Sequence, residues 1–181
     1  MLLDNWVVLL VRTASTGKML RVLKKRLDCT PFTPFVPTKE EILKKNGVWV
    51  TRVKPLFSGY IFVRTQAEPN DIAVELNKLL VEQKKVGSFI HLLHYGNDKK
   101  NVVIRKRERI LLEQLMNSEN CVESSTGRIV DGEIEITGGA LRGLEYWIKN
   151  IDRHQRRAVV DVEFAGELCE IRLSLEITEK I

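Results

Sequence analysis

Lys54-Pro-Leu-Phe-Ser-Gly-Tyr-Ile-Phe-Val-Arg64 organises the first two thirds of the chain. Pro55 removes a backbone donor and Gly59 permits a bend, so the stretch reads as a kinked entry into an apolar strand at 60–63. An equally apolar run, Trp6-Val-Val-Leu-Leu-Val11, lies upstream. It is short and rich in β-branched residues, which predicts a central strand buried on both faces. Between these two runs, Met19, Leu20, Leu23 and Leu27 recur at helical spacing, with Arg21, Lys24, Lys25 and Arg26 among them. That pattern predicts an amphipathic helix with a basic outer face. Prolines 31, 34 and 37 hold the next segment extended. Asn46-Gly47 is a hairpin signal between the charged stretch 38–45 and a strand at 48–53.

Downstream, Pro69-Asn70-Asp71 opens a helix with Ile72, Leu76, Leu79 and Leu80 on one face. A short strand at 89–94, a polar loop at 96–101 and a helix at 104–116 follow. Residues 117–127 are small and polar and lose all periodicity, so 118–127 is expected as a flexible linker. Beyond it lie short strands at 133–137, 145–151, 157–164 and 168–175. In the last two, Val160, Val162 and Phe164, and then Ile171, Leu173 and Leu175, alternate with polar residues. Period two over several short segments predicts a small β-barrel. The expected organisation is an α+β domain over 1–117, the linker, and a β domain over 128–181.

The chain has 181 residues, 44% of them hydrophobic and 29% charged, enough apolar surface for folded cores. No run of 18 apolar residues predicts a membrane span, and Met1-Leu2-Leu3-Asp4-Asn5 lacks a secretory n-region. A cytoplasmic protein is expected. Cys29, Cys121 and Cys169 are scattered, in no metal-ligand spacing, and read as small buried or half-buried residues. Residues 1–119 hold 21 Lys and Arg against 12 Asp and Glu, a balance of +9; residues 120–181 hold 8 against 12, a balance of −4. The first part should attract polyanions and the second should not.

Two groups of residues carry a family resemblance. The 54–64 stretch, the Trp6 strand ending at Val11-Arg12-Thr13, Gly17-Lys18 and Phe35-Val-Pro-Thr-Lys39 resemble the N-terminal (NGN) domain of the NusG family of transcription factors. Ile134-Glu-Ile-Thr-Gly-Gly139, Leu141, Gly143, Ile148, Ile151-Asp152 and the 160–166 stretch resemble the KOW motif that follows it there. The resemblance implies an antiparallel-sheet NGN domain with flanking helices and a five-stranded SH3-like β-barrel. Gly138-Gly-Ala-Leu-Arg-Gly-Leu144 and Ile151-Asp-Arg-His-Gln-Arg-Arg157 look like the specialised paralogue LoaP more than RfaH. Tyr146 stands where the KOW motif usually has glycine, and Ser58 where proline is common before Gly59.

The resemblance also implies sites. An apolar patch in this family meets the clamp helices of the largest RNA polymerase subunit; Phe57 and Tyr60 match its positions, and the bend at Gly59 is expected to expose them. Ile61 and Val63 are expected in the core. Arg12, Lys18, Lys39, Lys44, Lys45, Arg52 and Lys54 fall near strand ends and loops, where several are expected to converge on nucleic-acid phosphates. Resemblance to LoaP makes a structured nascent RNA hairpin the expected ligand, whereas RfaH reads single-stranded DNA. Arg105-Lys106-Arg107 is a second basic cluster, on the last helix. Leu141 and Leu144 match the loop through which relatives meet a small-subunit ribosomal protein or the Rho factor; in a glycine-rich loop they are either exposed contacts or barrel plugs.

No catalytic constellation can be assembled from the spacing, so no enzyme is expected. No cofactor or metal is expected either. His91 and His94 point to opposite faces of a strand and have no ligand cluster beside them. The expected protein is a monomeric transcription elongation or antitermination factor that meets no membrane. The rival is a general KOW-type RNA-binding or ribosome-associated protein with no effect on polymerase.

Overall fold

The structure is a computed structural model and describes residues 4–27, 31–95 and 101–181. Cys29, the start of the chain at 1–3 and most of the expected polar loop, 96–100, lie outside the described residues. The first elements are β1 (Asn5–Val11), α1 (Thr16–Arg26), β2 (Phe32–Phe35), β3 (Thr38–Lys45), β4 (Val48–Pro55) and β5 (Tyr60–Thr65). Then come α2 (Pro69–Lys85), β6 (Ile90–Leu92), α3 (Lys106–Leu115) and β7 (Cys121–Val122). β8 (Ser125–Val130), β9 (Glu133–Gly138), β10 (Ile148–Asp152), β11 (Arg157–Phe164) and β12 (Glu167–Lys180) complete the chain. Two compact units result: residues up to 36 with 57–109, and residues 37–56 with 110–181.

In the first unit β1 is central in an antiparallel sheet of order β2-β5-β1-β6, with Val8 opposite Phe62 and Leu10 opposite His91. Val7, Leu9, Ile61 and Val63 pack in one cluster with Leu23 of α1 and with Ile72 and Leu76 of α2. Trp6 sits edge-on to Phe35 and Phe62, at 5.3 and 6.2 Å between ring centroids. The Arg64 guanidinium lies 5.1 Å from both the Trp6 and the Phe35 rings. Both faces of β1 are therefore covered, which is why it reads as an unbroken apolar run. The start of α3 is closed by its own Glu108, only 1% exposed. Its carboxylate accepts the Arg105 backbone N–H at 3.1 Å and the Tyr95 hydroxyl at 2.6 Å. This is the reciprocal half of a capping box.

In the second unit the β domain is a five-stranded sheet of order β10-β11-β12-β8-β9. Ala158, Val160, Val162 and Phe164 of β11 are buried, as are Ile171, Leu173 and Leu175 of β12. The expected alternation places them there, with Val160 opposite Ile171 and Ala158 opposite Leu173. Three tight turns, Asn46-Gly47, Asp131-Gly132 and Ala165-Gly166, have positive φ at both residues, as a two-residue I′ hairpin requires.

Residues 118–127 were expected to be a flexible linker, but they carry β7 and the start of β8. Polar side chains bond part of this backbone, while Ser118, Glu119, Glu123 and Thr126 face solvent. Asn117 Oδ1 accepts the N–H groups of Glu119 and Cys121, and the Ser124 N–H and hydroxyl donate to Glu40. The expected strand over 145–151 begins only at Ile148, because Glu145–Trp147 form a 3-10 turn.

Gly139 fixes the end of β9. Its φ is +84°, and a Cβ there would lie 2.2 Å from the Ser124 carbonyl oxygen. Backbone atoms cannot yield as a side-chain tip can. Gly139→Ala is expected to destabilise the second unit by more than about 2 kcal/mol, combining the left-handed strain with the clash. Urea unfolding followed by Trp fluorescence measures this; an unchanged midpoint refutes it.

Candidate functional site

Gly59 positions the aromatic pair. Its φ of +83° turns the chain, its carbonyl accepts the Val11 N–H at 2.8 Å, and an added Cβ would meet the Val11 carbonyl oxygen at 2.8 Å. The turn stacks Phe57 on Phe62, with centroids 6.2 Å apart and planes at 27°. Phe57 is only 8% exposed, so the expectation of an exposed ring fails for it. Tyr60, half-buried, stands edge-on to Phe57 at 6.4 Å and 81°. Ile61 and Val63 are fully buried, as expected.

Arg12 and Lys18 come together in the first unit. β1 ends at Val11 and α1 begins at Thr16, so both side chains are exposed on the rim of a cavity of about 190 Å³. Ser15, Gln83, Ser88 and Phe89 also line it. Phe89 is 41% exposed, lies 6.0 Å beneath the Arg12 guanidinium, and meets His91 edge-on at 4.7 Å. A cation and an accessible ring side by side suit a phosphate and a base. His91 is thus a ring partner of Phe89. Arg105, from the second basic cluster, lies over the Tyr95 ring at 5.6 Å.

The other five basic candidates lie on the β3–β4 hairpin, in the second unit, and they differ among themselves. Lys39 is buried, and its Nζ donates to the Arg172 carbonyl on β12. The expectation that it meets phosphate in this arrangement is corrected: the edge of β3 packs along β12. The Ile42 N–H donates to Ser174 Oγ at 2.8 Å, and the Ser174 hydroxyl donates to the Glu40 carbonyl at 3.1 Å. Arg52 and Lys54 both pair with Glu41, Arg52 at 2.6 Å, and Arg157 of β11 approaches the same carboxylate at 3.8 Å. Lys44 and Lys45 are exposed near the turn. Lys44 lies 5.9 Å over the Trp49 ring, and Arg156 lies 4.2 Å over the same ring.

These contacts shift the charges they hold. Burial lowers the Lys39 ammonium to about 8, with Lys54, Arg157 and Arg172 pushing the same way and Glu41 opposing them. Burial pushes the Glu41 carboxyl up, but hydrogen bonds from Lys54 and Arg52, and their charge, outweigh it and hold Glu41 at about 2. Glu40 is lowered by the Ser124 hydroxyl and N–H.

On the β domain, Leu141 is 0% and Leu144 7% exposed. Both are plugs, which corrects their assignment as partner contacts. Ser125 Oγ accepts the Leu141 N–H at 3.0 Å and ties the loop inward. The exposed ring of this loop is Tyr146, at 76%, on the 3-10 turn that opens the stretch expected as a strand. Among the described residues no group of three or more His, Cys, Asp or Glu side chains is placed to hold a metal ion. No described helix is long and apolar enough to cross a membrane.

The Lys39 shift predicts a pH dependence. A lysine whose folded value is lowered binds its proton more weakly folded than unfolded. Its contribution is therefore fully present above the ordinary value of 10.5 and lost as pH falls through about 8. The melting temperature of the chain should gain from pH 7.5 to 9.5 relative to Lys39→Met, which removes the titrating group. Parallel pH profiles for the two proteins contradict this.

The family described as "Transcription termination factor nusG" matches residues 4–113, a span that runs from β1 into α3 and holds the Phe57–Tyr60 pair and the Arg12–Lys18 cavity. No curated protein matches the sequence. A solved structure described as "Domain interaction in Thermotoga maritima NusG" resembles the whole fold, with a TM-score of 0.52 at 16% identity, over 97% of this chain and 94% of that one. With most of its length matched by the family, the chain belongs to the NusG family of transcription factors.

Proposed function

We propose that this protein is a cytoplasmic transcription elongation and antitermination factor, a specialised NusG paralogue of the LoaP type. It binds the clamp helices of RNA polymerase through its N-terminal domain and takes up a structured nascent RNA. It suppresses pausing and termination by holding the clamp closed, with no bond made or broken. The observation that carries this reading is the family match over 4–113, which contains the aromatic pair and the basic cavity in one continuous span.

In this reading Tyr60 makes the polymerase contact and Phe57 is its support. A half-buried aromatic backed by a buried one is rigid, and loses little rotamer freedom on binding. Arg12 and Lys18 hold RNA phosphates, and Phe89 offers a stacking face for an unpaired base. Phosphate contacts make such binding strongly salt-dependent. A small-subunit ribosomal protein or Rho would have to meet the β domain through side chains other than Leu141 and Leu144.

The test is single-round transcription with purified polymerase, on a template carrying an upstream leader hairpin before an intrinsic terminator. Wild-type protein should raise readthrough. Tyr60→Ala should weaken polymerase retention about tenfold or more, as for an interface aromatic, and leave the melting temperature nearly unchanged. Phe57→Ala should also lower stability, by about 3 kcal/mol or more, because its ring is buried. Normal retention of Tyr60→Ala refutes the site. RNA binding without any effect on readthrough refutes the function.

A further inference from the structure

The β domain is acidic by sequence, at −4 over 120–181, yet one of its faces is not. Where β3 packs along β12, charges from four strands meet. Lys39 and Glu41 come from β3, Arg52 and Lys54 from β4, Arg157 from β11 and Arg172 from β12. Glu41 binds Arg52 and Lys54 directly and has Arg157 at 3.8 Å. Lys39 donates to the carbonyl of Arg172, and Lys54, Arg157 and Arg172 all lie within electrostatic range of it. Five cations thus gather about one carboxylate. Arg172 also feels Glu170, whose carboxylate is bonded to Lys149 at 2.8 Å. Arg157 donates to the Gln155 side chain, and Glu40 is spent on Ser124.

A patch with that excess calls for an anion. Arg52 and Arg172 are exposed, as is the Arg153-His154 turn that joins β10 to β11. Next to Arg157, Arg156 is paired with Glu176 at 2.8 Å and stacked on Trp49 at 4.2 Å. Planar guanidinium groups match phosphate in a bidentate way. A continuous polyanion fits the spread of these groups over four strands better than a single small anion does.

We propose that this junction of the β3–β4 hairpin with β11 and β12 is a second nucleic-acid site, in which Arg52, Lys54, Arg157 and Arg172 hold the phosphodiester backbone of an RNA strand. The β domain then contributes to nucleic-acid binding through a local surface, against the sign of its overall charge. Lys39 supplies background charge from below, and Glu41 orders the side chains around it. The proposal rests on the reading that this protein binds RNA, and it adds a place where the strand runs outside the Arg12–Lys18 cavity.

The experiment is fluorescence anisotropy of the full chain with a short labelled RNA hairpin flanked by single-stranded tails, over a range of salt. Three variants accompany the wild type: Arg157→Gln with Arg172→Gln, Arg12→Gln with Lys18→Gln, and Glu41→Gln. Circular dichroism melts check that each folds. Arg157→Gln with Arg172→Gln should weaken binding about tenfold and reduce the slope of log K against log salt by roughly 1 to 2, the loss of one or two phosphate contacts. Glu41→Gln should bind a few-fold tighter, since it removes the one carboxylate of the cluster; a purely structural role would not raise affinity. If wild type binds and the β-domain double variant binds equally with the same slope, the second site is overturned while the RNA reading stands. If wild type binds neither the hairpin nor its tails at low salt, the RNA reading fails and takes this site with it.

Discussion

The outer edge of β3 is the constraint on which the second unit depends. A two-stranded ribbon is marginal in water, and β4 satisfies only one of the two edges of β3. The other edge is closed in two ways. β7 pairs with it in parallel at Thr38 and Lys39, and further along Ser174 bridges the Ile42 N–H and the Glu40 carbonyl with one hydroxyl. Serine suits this place because it donates and accepts at the same atom. Each of these bonds is half of a pair whose loss would leave a partly buried backbone group unsatisfied, which costs more than the bond itself contributes. The hairpin is thereby fastened to the β domain, and the charges on it are fastened too.

That fastening explains why charge read along the chain misassigns the surface. Residues 37–56 carry Lys39, Lys44, Lys45, Arg52 and Lys54 against Glu40 and Glu41, a balance of +3. By position in the sequence they belong with the basic N-terminal part; by contact they belong with the acidic C-terminal part. The regrouping places their positive field beside Arg157 and Arg172 of the β domain. Net charge per domain is a sound guide to long-range attraction only when the domain boundary is right.

The strands with a strong period were legible: β1 from its two-sided apolar run, β11 and β12 from alternation, and the β3–β4 turn from Asn46-Gly47. β8 was not, because Ser125-Thr-Gly-Arg-Ile-Val130 opens with the small polar residues of a loop. Asp131-Gly132 was the available signal for it, as strong a hairpin turn as Asn46-Gly47. The order within Asn117–Ser124 depends on Asn117 and on Glu40, the latter 84 residues from its partner Ser124. No local pattern carries such a contact. Among the candidate sites, the convergence of Arg12 and Lys18 followed from the end of one strand and the start of the next helix. The burial of Phe57 and Leu141 did not, since a glycine-rich turn can present a ring or a leucine outward or fold it in, and packing decides. Phe89 escaped because one exposed aromatic just before a short strand has no periodic signature.

The role of Glu41 joins these points. A single carboxylate amid Arg52, Lys54 and Arg157 looks at first like a neutralising group alone. It has a second effect, on order. Lysine and arginine carry the greatest rotamer entropy of the side chains, and a free cluster of them would lose most of it on gripping a strand of phosphates. Pinned to one acceptor, the same groups are already arranged, and their charge still exceeds that of the carboxylate. An anion that approaches need only share donors which a guanidinium has in surplus. The acidic residue thus gives up some attraction at long range and lowers the ordering cost at contact, which is how a small excess of charge becomes a shaped surface.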